Sequence, residues 1–193
     1  MPLNTLHANH IGGAGDSRFE LQRVNNALLY IAGLDSGSAE GGQPGSEDVL
    51  VLSLSSFPLP KRSIGIIETG WLNEKRKFAG NPTYDDLSVV YRDYVEAGVA
   101  KVLWKWNYQV HDPETGKTGL AKNYKKAGWM SLFAPDGSIE RQYNIFGAWP
   151  STFDPGDADM MGEDGMNITM TITIDKAIPS RGINPNPSQS TIS

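Results

Sequence analysis

Polar and apolar residues alternate along much of the chain. The pattern is clearest at 167–174, where Ile168, Met170, Ile172 and Ile174 share one face and Asn167, Thr169, Thr171 and Thr173 the other. A period of two over this length predicts a β-strand with one buried side. The same period runs through 47–59, with Leu50, Leu52 and Leu54 opposite Val49, Val51, Ser53 and Ser55, until Pro58 and Pro60 stop it. That pattern predicts a second strand with one apolar face. Residues 19–34 alternate more loosely, end at Gly33 and run into the Gly- and Ser-rich stretch 35–48, a strand followed by a loop. The β-branched segment 63–72 leads into the basic stretch 73–78, which Gly80-Asn81-Pro82 closes. It reads as a hairpin or an extended arm.

Leu87, Val89 and Tyr91 mark a strand at 84–92. Asp93 then stands where it can cap a helix over 94–110, with Glu96 in the first turn and Val95, Val99, Val102, Leu103 and Trp106 at helical spacing. His111-Asp112-Pro113-Glu114-Thr115-Gly116 ends that helix, because Pro113 biases the residue before it away from helical angles and Gly116 supplies a turn. Trp104, Trp106 and Tyr108 are two residues apart, so they cannot all lie on one helix face, and at least one leaves the main core stripe. Residues 126–133 and 139–146 flank 134–138, where Asp136-Gly137 fits the left-handed angles of a hairpin turn. The polar, Pro-rich end 179–193 reads as a flexible tail and 1–18 as an N-terminal arm, leaving one domain over 19–178 with excursions at 35–48 and 73–82.

Composition narrows the function. The 193 residues carry 21 Gly, 12 Pro and no Cys, so the domain is turn-rich and disulfides, thiolate zinc sites and cysteine nucleophiles are excluded. A net charge of −5 argues against tight nonspecific nucleic-acid binding, which rests on cations neutralising phosphates. The opening lacks the charged start and apolar core of a signal peptide, and no apolar run approaches the roughly 18 residues of a membrane helix. No membrane partner is expected.

Candidate chemistry is sparse. His7 and His10 would point to opposite sides of a strand, and in a Gly-rich arm nothing fixes them, so they read as solvated rather than as metal ligands. Counting a calcium loop from Asp157 places Asp159 and Gly162 well but puts Met161 at the fifth position and Ile168 where a bidentate Glu belongs. Gly12-Gly13 and Gly41-Gly42 lack the helix or Gly-Lys-Ser/Thr of a phosphate cradle, and there is no G-x-S-x-G elbow. The expectation is no enzyme, no metal and no cofactor.

From Lys77 onward the chain resembles the tail tube family of contractile-tailed phages. The likeness rests on Gly80-Asn81-Pro82-Thr83-Tyr84-Asp85-Asp86-Leu87-Ser88-Val89 entering a strand, then Trp106 on a helix running into 111–116. Tyr124-Lys125-Lys126 before a strand, the Asp136-Gly137 hairpin and Tyr143-Asn144-Ile145-Phe146-Gly147-Ala148-Trp149-Pro150 follow, with an acidic loop and a final Thr/Ile strand. The resemblance implies a mainly β (α+β) fold, an antiparallel β-sandwich or barrel with one flanking α-helix. It also implies homohexamer rings whose sheets join in a continuous inner β-barrel, stacked into a hollow tube in the virion tail and assembled in the host cytoplasm. The implied partners are the tail sheath protein, a baseplate hub or initiator, the tape measure protein and the tail terminator, with genome DNA passing through the lumen unbound. A net charge of −5 suits such a lumen. A type VI secretion ring protein shares the fold family and remains an alternative, as does a carbohydrate-binding β-sandwich using Trp104, Trp106 and Tyr108.

Two charged regions are the candidate assembly contacts. The arm with Lys75, Arg76 and Lys77 is expected to reach a neighbouring subunit or ring, and Lys122, Lys125 and Lys126 to meet acidic residues such as Asp154, Asp157 and Asp159 between protomers. The competing reading of both is solvated surface charge.

Overall fold

The structure, a computed structural model, describes residues 22–34, 46–95, 98–158, 160–161 and 163–181. The expected arm 1–18, most of the loop 35–48, Glu96, Asp159, and His7 and His10 lie outside the described residues. In chain order the elements are β1 (Ala27–Ile31), α1 (Ser46–Ser53), β2 (Leu54–Ser56), β3 (Arg62–Trp71), β4 (Glu74–Tyr84) and β5 (Leu87–Arg92). They continue with α2 (Val99–Val110), α3 (Ala121–Tyr124), β6 (Lys126–Phe133), β7 (Ile139–Asp154), β8 (Asn167–Thr173) and β9 (Lys176–Arg181).

Seven strands form one antiparallel, nearly closed, barrel-like sheet in the order β1-β6-β7-β8-β5-β2, with β9 also paired to β7. The 16-residue β7 makes this possible. Its first half pairs with β6 and with β9, and its second half leaves them to pair with β8, from Trp149↔Thr173 to Asp154↔Thr169. The expected alternation holds where it matters most: Ile168, Met170, Ile172 and Ile174 are all buried, as are Leu87, Val89 and Tyr91 on the paired β5. Each such side chain contributes about 1.5–3 kcal/mol by leaving water. The α2 helix closes the barrel by burying Val99, Leu103 and Trp106.

Prolines inside strands sit beside register shifts. Pro82 adjoins the shift between Ile64 and Ile66, Pro150 the one before Thr152, and Pro179 the one at Tyr143. Lacking an N–H, proline cannot complete a regular ladder and is tolerated where the ladder is already broken.

Four expectations need correction. Residues 46–53 form a helix, not the start of a strand, and only Leu54–Ser56 is extended. A short apolar run does not distinguish the two by period. The buried positions Val49, Leu50 and Ser53 follow a helical face, and Glu47 and Asp48 lie in the first turn, where acids suit the helix dipole. Glu47 also fastens the helix to β1, accepting from the Tyr30 hydroxyl and, at 2.5 Å, from the Gly33 N–H. Second, α2 begins at Val99 rather than Tyr94. The Asp93 N–H donates to the Met166 carbonyl, continuing the β5–β8 pairing, and Gly98 takes left-handed angles just before the helix. Third, 73–82 is not a loop: of the two readings, hairpin or extended arm, the structure has the hairpin, with most of this stretch in β4. Fourth, the tail begins later than 179, because Pro179–Arg181 belong to β9. The turn at 134–138 is as expected except that only Gly137 is left-handed, at φ 83.

Candidate assembly surfaces

The β3–β4 hairpin carries the most unusual surface of the molecule. Its strands pair from Arg62↔Tyr84 to Trp71↔Glu74, and except near its base it is exposed on both faces. The period of two places Ile64, Ile66, Ala79 and Pro82 on one face and Ile67 and Phe78 on the other. Ile64, Ile66, Ile67 and Phe78 are 52–66% exposed. Polarity therefore changes along the hairpin rather than across it: an apolar belt near the barrel, then a charged tip with Glu68, Glu74, Lys75, Arg76 and Lys77. Lys77 pairs with Glu68 at 3.5 Å across the two strands. Leu72 caps the turn at φ 55 and is 93% exposed. An isolated two-stranded hairpin is marginal in water, and unpaired strand edges invite pairing with another chain.

The barrel leaves an opening where β1 and β2, the two ends of the sheet order, fail to meet. Ala27, Leu54, Phe57, Leu59 and Leu132 line a cleft there of about 410 Å3.

The remaining expected contact residues fall into distinct settings. Lys75, Arg76 and Lys77 are on the exposed hairpin tip and Lys122 is exposed on α3. Lys125 is held within its own chain, its Nζ 2.6 and 2.8 Å from the two carboxylate oxygens of Asp175, a residue that the sequence reading did not single out. Lys126 opens β6 and is half-buried. Asp154 ends β7 and accepts from the Gly156 N–H at 3.0 Å, while Asp157 is exposed on the loop that follows.

The aromatic triplet divides as its spacing requires. Trp106 is 1% exposed, and its indole N–H donates to the Tyr124 carbonyl at 2.9 Å, tying α2 to α3. Trp104 and Tyr108 remain on the surface, with the Trp104 ring tilted against Phe153 and Tyr108 at centroid distances of 4.3 and 5.5 Å. Much of the Trp104 face is thus occupied by its own chain.

The perturbed titrations have structural causes. Burial pushes the Tyr91 hydroxyl far above its ordinary value. The Asp112 carboxyl is held below its usual value first by the Thr115 hydroxyl and then by the Glu114 N–H, within the turn of 111–116. Asp136 is lowered by the hydroxyl and N–H of Ser138 in the β6–β7 turn. Among the described residues no group of three or more His, Asp or Glu converges as a metal site.

No family model and no curated protein sequence matches the chain. Solved structures do. The sheath/tube terminator of an extracellular contractile injection system (PVC) aligns with TM-score 0.60 at 14% identity, over 83% of this chain and 96% of that one. The tube-terminating cap of the anti-feeding prophage aligns with TM-score 0.60 at 12% identity, over 83% and 91%. A chain of the same particle's six-fold-symmetrised baseplate aligns with TM-score 0.61 at 8% identity, over 86% and 99%. At these identities the likeness is one of architecture: the chain shares the fold of these terminator, cap and baseplate chains, in agreement with the resemblance read in the sequence.

Proposed function

We propose that this chain is a structural subunit of a contractile tail or injection particle, forming homohexamer rings that stack into the inner tube. The observation that carries the reading is the β3–β4 hairpin, with apolar side chains exposed on both faces and no other described element packed extensively over it. Such a surface is completed by other chains. The fold likeness to chains of a sheath/tube terminator, a tube-terminating cap and a baseplate supports the same role. In this reading a sheath surrounds the tube, a tape measure protein sets its length, a baseplate starts it and a terminator ends it. The lumen conducts genome DNA, and the acidic balance of the chain keeps that polyanion from adhering. No catalytic step is assigned.

The test is negative-stain electron microscopy with native mass spectrometry across a concentration series. Rings or tubes with six-fold end views are expected. A monomer that stays monodisperse at every concentration and salt overturns the reading.

A further inference from the structure

The two ends of strand β5 carry complementary surfaces. Arg62 and Tyr84, the base of the hairpin, adjoin the Leu87 end, where the Asp85 N–H donates to the Lys61 carbonyl. At the other end Arg92 pairs with Asn167 and the Asp93 N–H donates to Met166, the last residue of the β7–β8 loop. Five residue steps separate those ends, about 17 Å at strand rise, so hairpin and loop leave the barrel from opposite ends.

Their chemistry matches. Between 154 and 166 the chain has five acidic residues and no basic one, and Asp157, Glu163 and Asp164 are exposed. The same loop exposes Met160, Met161 and Met166 at 97, 91 and 43%. Methionine is flexible and fits irregular partners. The hairpin offers the converse, Lys75, Arg76 and Lys77 at its tip above the belt of Ile64, Ile66, Ile67 and Phe78. One surface is apolar and basic, the other apolar and acidic.

We infer that the hairpin of one copy docks on the β7–β8 loop of the next, so that subunits associate head to tail along the tube. This rests on the tube reading above and adds to it which surfaces meet and with what polarity. A contact between two different patches is heterologous, and because these two leave the barrel from opposite ends, repeating it advances along one axis and propagates an open stack instead of closing a ring. Opposite charge steers the encounter and fixes register, while the isoleucines, Phe78 and the methionines exclude water.

Charge exchange tests it in the full chain. A Lys75→Glu, Arg76→Glu, Lys77→Glu variant and an Asp157→Lys, Glu163→Lys, Asp164→Lys variant are each expected to lose at least 10-fold in sedimentable polymer, with thermal unfolding of the monomer unchanged. Combining all six substitutions is expected to restore polymer. Because the chain has no native cysteine, a Lys75→Cys, Met160→Cys variant provides an independent readout. Oxidation of assembled material is expected to give a covalent ladder on a non-reducing gel, since the two positions of one chain are at opposite ends. Full polymer yield from either triple variant, failure of the combined variant to regain it, or oxidised tubes without a ladder overturns the docking. If the unmodified chain itself never polymerises, the tube reading falls first, and the inference with it.

Discussion

Replacing Trp106 with Phe isolates one tie between the barrel's helices. The indole is 1% exposed and its N–H donates to the half-buried Tyr124 carbonyl at 2.9 Å. Phenylalanine fills most of the space but offers no donor. Leaving this half-buried carbonyl without its partner costs about 1–2 kcal/mol, the lower part of the range for a fully buried group, and the void left by the smaller ring adds about 1 kcal/mol, for a loss of about 2–3 kcal/mol. In a domain of this size that corresponds to a fall in Tm of roughly 4–12 °C. The assay is denaturant and thermal unfolding under conditions where the protein is monomeric, because association of folded copies would add apparent stability. Trp104→Phe is the control: that ring is 40% exposed and donates no hydrogen bond to any of the described residues, so its replacement is expected to cost less than about 1 kcal/mol. Equal losses for the two variants, or a Trp106→Phe loss below about 1 kcal/mol with unchanged m-value, would refute the argument that the indole N–H secures α3.

Two further perturbations probe the turns. At Gly147, φ is +65 and an added Cβ would lie 2.1 Å from the Asp175 carboxylate that binds Lys125. Gly147→Ala is therefore expected to cost about 2–3 kcal/mol, combining left-handed strain of about 1–2 kcal/mol with displacement of Asp175. Gly137→Ala, at φ +83 with nothing within 4 Å, is expected to pay the strain alone, and equal losses in chemical denaturation would dismiss the Asp175 contact. The lowered carboxyls of Asp112 and Asp136 contribute stability that is present above their unfolded values of about 4 and is lost as pH falls through their lower folded values. An Asp112→Asn, Asp136→Asn variant is expected to be less stable than the parent at pH 7 and to converge with it in acid. A gap that stays constant through an acid titration followed by Tm contradicts this assignment.

What the sequence disclosed depended on how far each signal reached. Strict alternation at 167–174 and the Asp-Gly turn at 136–137 are local rules, and both describe the structure closely. The start of α2 was not legible, because Asp93 is a good cap by composition but its backbone is claimed by Met166, a residue distant in sequence. Residues 46–53 misled because a short apolar run does not distinguish helix from strand by period, and the partners that fasten Glu47, Tyr30 and Gly33, lie in and just after β1. Among the candidate contacts, the basic hairpin tip could be picked out from Lys75, Arg76 and Lys77 alone. Adjacent Ile66 and Ile67 already place apolar side chains on both faces of a strand, but which of Ala79, Pro82 and Phe78 joins which face depends on the Ile67↔Phe78 register and on the shift before Ile66. Asp175, the intrachain partner of Lys125, could not have been found by inspection, since 50 residues separate them.

Strand β7 has a mechanical meaning. Because one continuous backbone is bonded to β6 and β9 along its first half and to β8 along its second, a pull along that strand loads many cross-strand bonds together in shear. The gap between β1 and β2, by contrast, can part without breaking any pairing between those strands. The subunit thus has a stiff spine and one compliant seam: load along β7 is resisted by both sets of pairings, while strain across the β1–β2 gap is taken up without breaking one.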